Sequence, residues 1–263
     1  MDYVVVSLVA LLASGLTLFS GFGLGTILMP AFALFFPVPV AVAAAAVVHL
    51  ANNLFKLGLL GRRADWGVSW RFGLPGAAAA FVGAGLLIYL SNLPVLTTYQ
   101  VMGRTAEISL LKLVIGALII AFSAMELFPA LEGRLRISHK SLSFGGALSG
   151  FFGGLSGNQG AFRSAFLLRA GLDKTAFIAT GVVCAVLVDA SRLLVYGLEL
   201  LAGNLDELAG HGAWSKAGAA TLAAFLGAFI GRRLLDKVTM GFIRRLVGVM
   251  LLLIGLGLAS GII

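Results

Sequence analysis

Three groups of residues in this sequence could act on a ligand, and all three sit within apolar surroundings. The first comprises two glycine-rich turns, SGFGLGT over 20–26 and GGLSGNQGAFR over 153–163. Glycine adopts backbone conformations that other residues resist, so a helix can stop at such a turn and a new one begin, near Gly25 and near Gly160. The first N–H groups of the new helix lack intrahelical acceptors, and with the helix dipole they favour an anion. Gly23, Gly25, Gly157, Asn158, Gln159 and Gly160 are therefore candidate anion-binding residues. Asn158 and Gln159 strengthen this reading, because packing alone would prefer alanine there. Close helix packing is the competing reading, since Gly21 and Gly25, and also Gly146, Gly150 and Gly154, recur four apart.

The second group is one charge. Arg163 falls in the first turn of the half-helix after Gly160. A cation near a positive dipole end is costly unless an anion offsets it, and ionisable residues at membrane depth are functional by default. The alternative is snorkelling of the long side chain toward the interface. The third group is a pair of helical faces, one carrying His49, Asn53 and Lys56, the other Asp189, Arg192 and Tyr196. The first five of these are read as coupling or gating residues, with Asp189 the best carrier for a proton or cation. Two bland readings stand beside it: Asp189 and Arg192, three apart, could neutralise each other, and a lone histidine in a helix is commonly a satisfied structural residue. Lys112 and Glu126 lie near helix ends and read as interface anchors. Trp66, Trp70 and Trp214 sit at segment boundaries, as interfacial belt residues do.

No P-loop, CxxC or HExxH occurs, and the three histidines lack ligand spacing. No catalytic residue, metal site or cofactor is therefore assigned. The single cysteine, Cys184, lies in an apolar run and reads as a small buried hydrophobe. The net charge of +8 does not imply nucleic acid, because the basic residues form small clusters between apolar runs rather than one continuous face.

The elements that must position these residues are membrane helices. Of the 263 residues, 60% are hydrophobic and 11% charged, and the mean hydropathy is +1.04. Soluble domains carry about 25% charged residues, so the apolar surplus here must face lipid. Ten apolar segments are expected, at about 3–20, 24–36, 38–60, 72–91, 108–128, 141–156, 160–170, 174–198, 214–231 and 242–262. Six are long enough to span a hydrocarbon core of about 30 Å. The pairs 3–20 with 24–36 and 141–156 with 160–170 are short and glycine-broken, and read as hairpins. The N-terminal run lacks a basic n-region and an obvious cleavage site, so it reads as a retained first helix.

Charge sets the layout. The stretches 61–71, 130–140, 169–174 and 232–245 net +2, +2, +1 and +4, and hold 13 of the 19 Lys and Arg residues. All four fall on the cytoplasmic side, as the positive-inside rule requires, only if each broken pair returns to the side it entered. The chain is then a multi-pass protein of the cell (inner) membrane with both termini outside. Adding 136 to a position superposes Gly21 on Gly157, Asn53 on Asp189 and Lys56 on Arg192, and it places Arg62 and Arg63 on Leu198 and Glu199. Matching patterns with opposite loop charge indicate an inverted repeat. The fold class is thus an all-α polytopic membrane protein of two inverted-topology repeats, 1–130 and 131–263, each a glycine-broken hairpin plus three spanning helices.

The stretch ASGLTLFSGFGLGTILMPAFALFF over 13–36, with Gly21, Gly23, Gly25 and then Pro30, resembles the opening of TauE/SafE permeases, and LSGFFGGLSGNQGAFRSAFLL over 148–168 is its second-half counterpart. The first turn is GFGLG rather than the family's usual three-glycine run, and the second half lacks the usual proline. The resemblance implies a secondary transporter for a small anion such as sulfite, another sulfur oxyanion or an organosulfonate. Its other partners would be membrane lipid and a coupling ion, protons among the candidates. Two rivals are weighed with it: a membrane enzyme acting on lipid phosphates, and an accessory subunit without transport. Neither hairpin contains the glutamates that lipid-phosphate chemistry would need.

Overall fold

A computed structural model describes residues 2–17, 24–101, 103–128, 142–202, 212–234 and 240–263. It contains ten α-helices among these residues: α1 (Asp2–Thr17), α2 (Leu24–Ala33), α3 (Val38–Leu60), α4 (Trp66–Ser91), α5 (Leu110–Leu127), α6 (Leu142–Ser156), α7 (Gly160–Leu167), α8 (Lys174–Leu201), α9 (Ala213–Leu234) and α10 (Met240–Ala259). Each corresponds to one apolar segment expected from the sequence. Four helical stretches, Val38–Arg63, Trp66–Ser91, Leu110–Leu127 and Lys174–Glu199, are long and apolar enough to cross a membrane.

The expectation of an all-α fold needs one amendment. Strands β1 (Val95–Val101) and β2 (Arg104–Ser109) pair antiparallel, with Thr98 opposite Glu107. The β-branched residues in VLTTYQV favour a pleated strand, and Gly103 supplies a positive φ of 75° at the turn. Helix α4 also begins earlier than the expected 72, because Asp65 caps it: its Oδ1 accepts from the Val68 N–H at 2.9 Å.

The chain divides into two compact units, one of residues 1–85 and 137–236 and the other of 86–136 and 237–263. In the first unit α1 packs along α9, and α3 packs against α2, α8 and α9. Proline at 37 and 39 pre-sets the entry of α3. From Val38 to Ala46 every residue of α3 is nearly inaccessible. Helices α4 and α6 meet through glycine: a Cβ on Gly150 would stand 1.9 Å from the Gly76 carbonyl oxygen, and one on Gly146 would stand 2.0 Å from that of Phe72. Gly146, Gly150 and Gly154 therefore serve close packing, which answers the competing reading for those three. In the second unit α5 packs on α10, where Gly116 faces Gly255 and Ala259. The Ser123 hydroxyl donates to the Gly248 carbonyl at 2.8 Å.

Within the first unit, the basic stretches 61–71 and 169–174 lie at one end. The Asp65 N–H donates to Thr180 Oγ1 at 2.9 Å, and Ser143 Oγ donates to the Arg71 carbonyl at 3.1 Å. The turn 61–65, the start of α6 and the start of α8 are thus neighbours. The two ends of the α6–α7 hairpin also meet, because Leu142 and Leu167 both pack around Phe72 and Cys184. Helix α7, at about 1.5 Å per residue, is far too short to cross about 30 Å of hydrocarbon. The second hairpin thus brings its start and its end to the same end of this unit.

Candidate functional site

The site forms where the α6–α7 hairpin turns. Gly157 has a φ of 79°, a conformation that costs glycine least, and its N–H donates to the Gly153 carbonyl at 3.0 Å, closing α6. Asn158 and Gln159 follow, and α7 begins at Gly160. The Gln159 side chain does not cap α7. Its Nε2 instead donates to Asp189 Oδ1 at 2.8 Å, while its backbone carbonyl accepts from Ser149 Oγ at 2.8 Å. The first N–H groups of α7 are thus left for something other than a side-chain cap.

Asp189, fully buried on α8, is the hub. Its Oδ1 accepts from Gln159 and, at 3.0 and 2.7 Å, from Nε and Nη2 of Arg192. Its Oδ2 lies 2.6 Å from His49 Nδ1 and accepts from Asn53 Nδ2 at 3.3 Å. Arg192 also donates through Nη1 to the Gly153 carbonyl at 3.0 Å, and the Tyr196 hydroxyl donates to that of Gly154. These are last-turn carbonyls of α6, and that of Gly153 also accepts from the Gly157 N–H. One face of α8 thereby holds the hairpin turn in place.

Depth follows from helix geometry. His49 is eleven residues before the end of α3, and Asp189 is fifteen after the start of α8, so at about 1.5 Å per residue they stand roughly 16 and 22 Å from the basic end.

The cations around this hub outnumber its anion. Lys56, Arg163 and Arg192 are buried, and Asp189 is the one buried carboxylate of this unit among the described residues. Lys56 shares the α3 face with His49 and Asn53, and makes no hydrogen bond or ion pair among the described residues. Arg163 Nε lies 3.6 Å from where a Cβ of Gly181 would stand, so its guanidinium lies along α8. Excess buried charge costs several kcal/mol unless something offsets it, and an anion would.

Polar atoms that lack hydrogen-bond partners gather at the same turn. Asn158 is 1% exposed, and neither its Oδ1 nor its Nδ2 has a partner among the described residues. Gln159 Oε1 and Ser164 Oγ are in the same condition. Leaving a buried donor or acceptor unsatisfied costs about 1–3 kcal/mol each. A bound oxyanion, with acceptor oxygens in several directions, would satisfy the donors. Met29 of α2 also reaches this turn, its Cβ 3.7 Å from the Cβ position of Gly157.

The profile described as sulfite exporter TauE/SafE matches residues 6–258. The chain belongs to the TauE/SafE family. No curated protein and no solved structure matches it. Membership in TauE/SafE places the chain among integral membrane transporters. In this TauE/SafE protein, the structure brings Gly157, Asn158, Gln159, Gly160, Arg163, His49, Asn53, Lys56, Asp189 and Arg192 into one region on α3, α6, α7 and α8. Gly25 lies in the first turn of α2, and Gly23 lies outside the described residues, as does Gly21. Asp189 and Arg192 do pair, as the bland reading had it, but the carboxylate also serves three other side chains. His49 is satisfied through Asp189 rather than through its own helix.

Sequence reading missed Ser149, which anchors the Gln159 backbone, and Ser164. It also missed Ser14, whose Oγ donates to Asn52 Oδ1 at 3.1 Å between α1 and α3. The spacing of Ser149, four before Gly153, was the one available signal. Lys112 sits one turn into α5, behind the Ser109 cap.

Proposed function

We propose that this TauE/SafE chain is a secondary permease that moves a small anion across the cytoplasmic membrane by alternating access. Its substrate is a sulfur oxyanion such as sulfite, or an organosulfonate. Gly23, Gly25, Gly157, Asn158, Gln159, Gly160 and Arg163 line the anion site, and His49, Asn53, Lys56, Asp189 and Arg192 serve gating or coupling. The observation that carries the reading is the turn at 157–160, where buried polar atoms without hydrogen-bond partners among the described residues stand beside buried cations.

The two repeats, 1–130 and 131–263, move against each other. In support, Asn53 and Asp189, which stand 136 apart and superpose in the repeat, touch at 3.3 Å, as equivalent residues do beside a local two-fold axis. The convergence of the 61–71 and 169–174 stretches at one end of the first unit fits a cytoplasmic placement for both and an outside placement for the termini. Rocking of one hairpin-bearing repeat would expose the site first to one side and then to the other.

The test is flux in proteoliposomes across sulfite, sulfate, thiosulfate and methanesulfonate. Flux of at least one anion above protein-free vesicles, lost in Arg163→Ala protein that still folds, supports the reading. Failure of all four anions to move sinks it.

A further inference from the structure

The His49–Asp189 contact carries an inference about what travels with the anion. Nδ1 and Oδ2 are 2.6 Å apart, and both are acceptors when unprotonated, so a proton must lie between them. Asp189 is surrounded by donors: Arg192 twice and Gln159 at Oδ1, Asn53 at Oδ2. That environment favours the carboxylate, and leaves the shared proton on His49 Nδ1. Asn53 Nδ2 then donates to Asp189 rather than to Nδ1, although it lies 3.1 Å from that nitrogen. One acceptor remains on the ring, Nε2, with Asn53 Nδ2 at 3.5 Å and no closer donor.

A further proton on the imidazole therefore goes to Nε2 and adds a positive charge. The charged groups that act on it are Arg163 on α7 and Asp189 and Arg192 on α8, with Lys56 two turns further along the same face of α3. Helix α6 has no titratable residue, nor does α2, and those of α1 and α9 lie toward their ends. The surroundings are thus cationic, apart from one carboxylate already engaged by Arg192. A positive charge on His49 adds to the repulsion among these cations, and a bound anion relieves that repulsion. By reciprocity, the proton then favours the anion to the same degree.

We infer that His49 takes up one proton at Nε2 when the anion binds, so that the permease carries anion and proton together in the same direction. This rests on the permease reading above. The proton comes from solvent on the loading side and returns to solvent on the other, and no bond other than N–H forms or breaks.

The test uses purified protein in unbuffered detergent solution with a pH-sensitive dye, titrated with sulfate, thiosulfate and methanesulfonate, anions that do not themselves titrate near neutral pH. Wild-type protein is expected to take up about one proton per anion bound, and its apparent Kd is expected to rise about tenfold per pH unit above the His49 titration. His49→Gln protein should bind with an affinity that no longer depends on pH. Anion binding by the wild type without proton uptake overturns the inference while leaving the permease reading intact, and so does an unchanged pH slope in His49→Gln. Because the wild-type measurement stands by itself, misfolding of the variant does not remove the test. If none of the three anions binds and sulfite does not move in proteoliposomes either, the permease reading fails and the coupling fails with it.

Discussion

Replacing Asp189 with asparagine perturbs the hub in a way whose size can be worked from the structure. The carboxylate is fully buried and accepts five contacts, two of them from Arg192, which is itself fully buried. Asparagine keeps the shape and one acceptor oxygen but removes the charge. The Arg192 guanidinium would then stand uncompensated in a low-dielectric interior, and breaking such a pair costs about 3–5 kcal/mol. For a chain of this size that corresponds to a fall in Tm on the order of 10 °C. The assay is thermal unfolding in detergent, followed by the loss of monodisperse protein. A double variant, Asp189→Leu with Arg192→Met, removes both charges and should lose less than Asp189→Asn alone, because no buried ion is left unpaired. If Asp189→Asn unfolds within about 1 °C of the wild type, or if the double variant is the worse of the two, the pair is not the electrostatic keystone described here.

Three further outcomes follow from the packing and layout. Gly150→Ala puts a Cβ 1.9 Å from the Gly76 carbonyl, so α4 and α6 must separate; a loss of about 1–3 kcal/mol or failure to fold is expected. Gly85→Ala, where a Cβ would meet nothing within 4 Å, should be neutral or stabilising by up to about 1 kcal/mol, and equal destabilisation by the two would contradict the packing. Ser149→Ala frees the Gln159 carbonyl and should cost about 1–3 kcal/mol, visible as a lowered Tm; an unchanged Tm removes Ser149 from the support of the turn. In a Cys184→Ser background, cysteines at Arg62 and Lys174 should react with an impermeant thiol reagent only from the cytoplasmic side and one at Leu96 only from outside, and labelling of Arg62 and Lys174 from opposite sides would overturn the layout.

Much of the fold was legible because membrane helices announce themselves by apolar length, and all ten segments recur as helices. The hairpin turn was legible for a local reason: Gly157 needs a positive φ, and Asn158 and Gln159 are polar where nothing apolar requires them. What the sequence could not supply was partnership at long range. His49 and Asp189 are 140 residues apart, and only the packing of α3 against α8 makes them neighbours. Glycines four apart read equally as site or as packing until α4 is laid against α6, and then Gly146, Gly150 and Gly154 fall to packing. The strand pair is not legible in hydropathy, because through 92–107 its signal is β-branching rather than apolar length. The start of α4 was missed for a similar reason: Asp65, a polar cap, ends an apolar scan although it begins a helix.

The most direct measurement of the central claim is sulfite binding to purified protein by wild type and by Arg163→Gln, with folding checked by Tm. A charge-assisted contact contributes about 1.5–3 kcal/mol, so the variant is predicted to bind about 10- to 100-fold more weakly. Equal affinity in the two proteins would mean that the anion does not sit at the turn between α6 and α7.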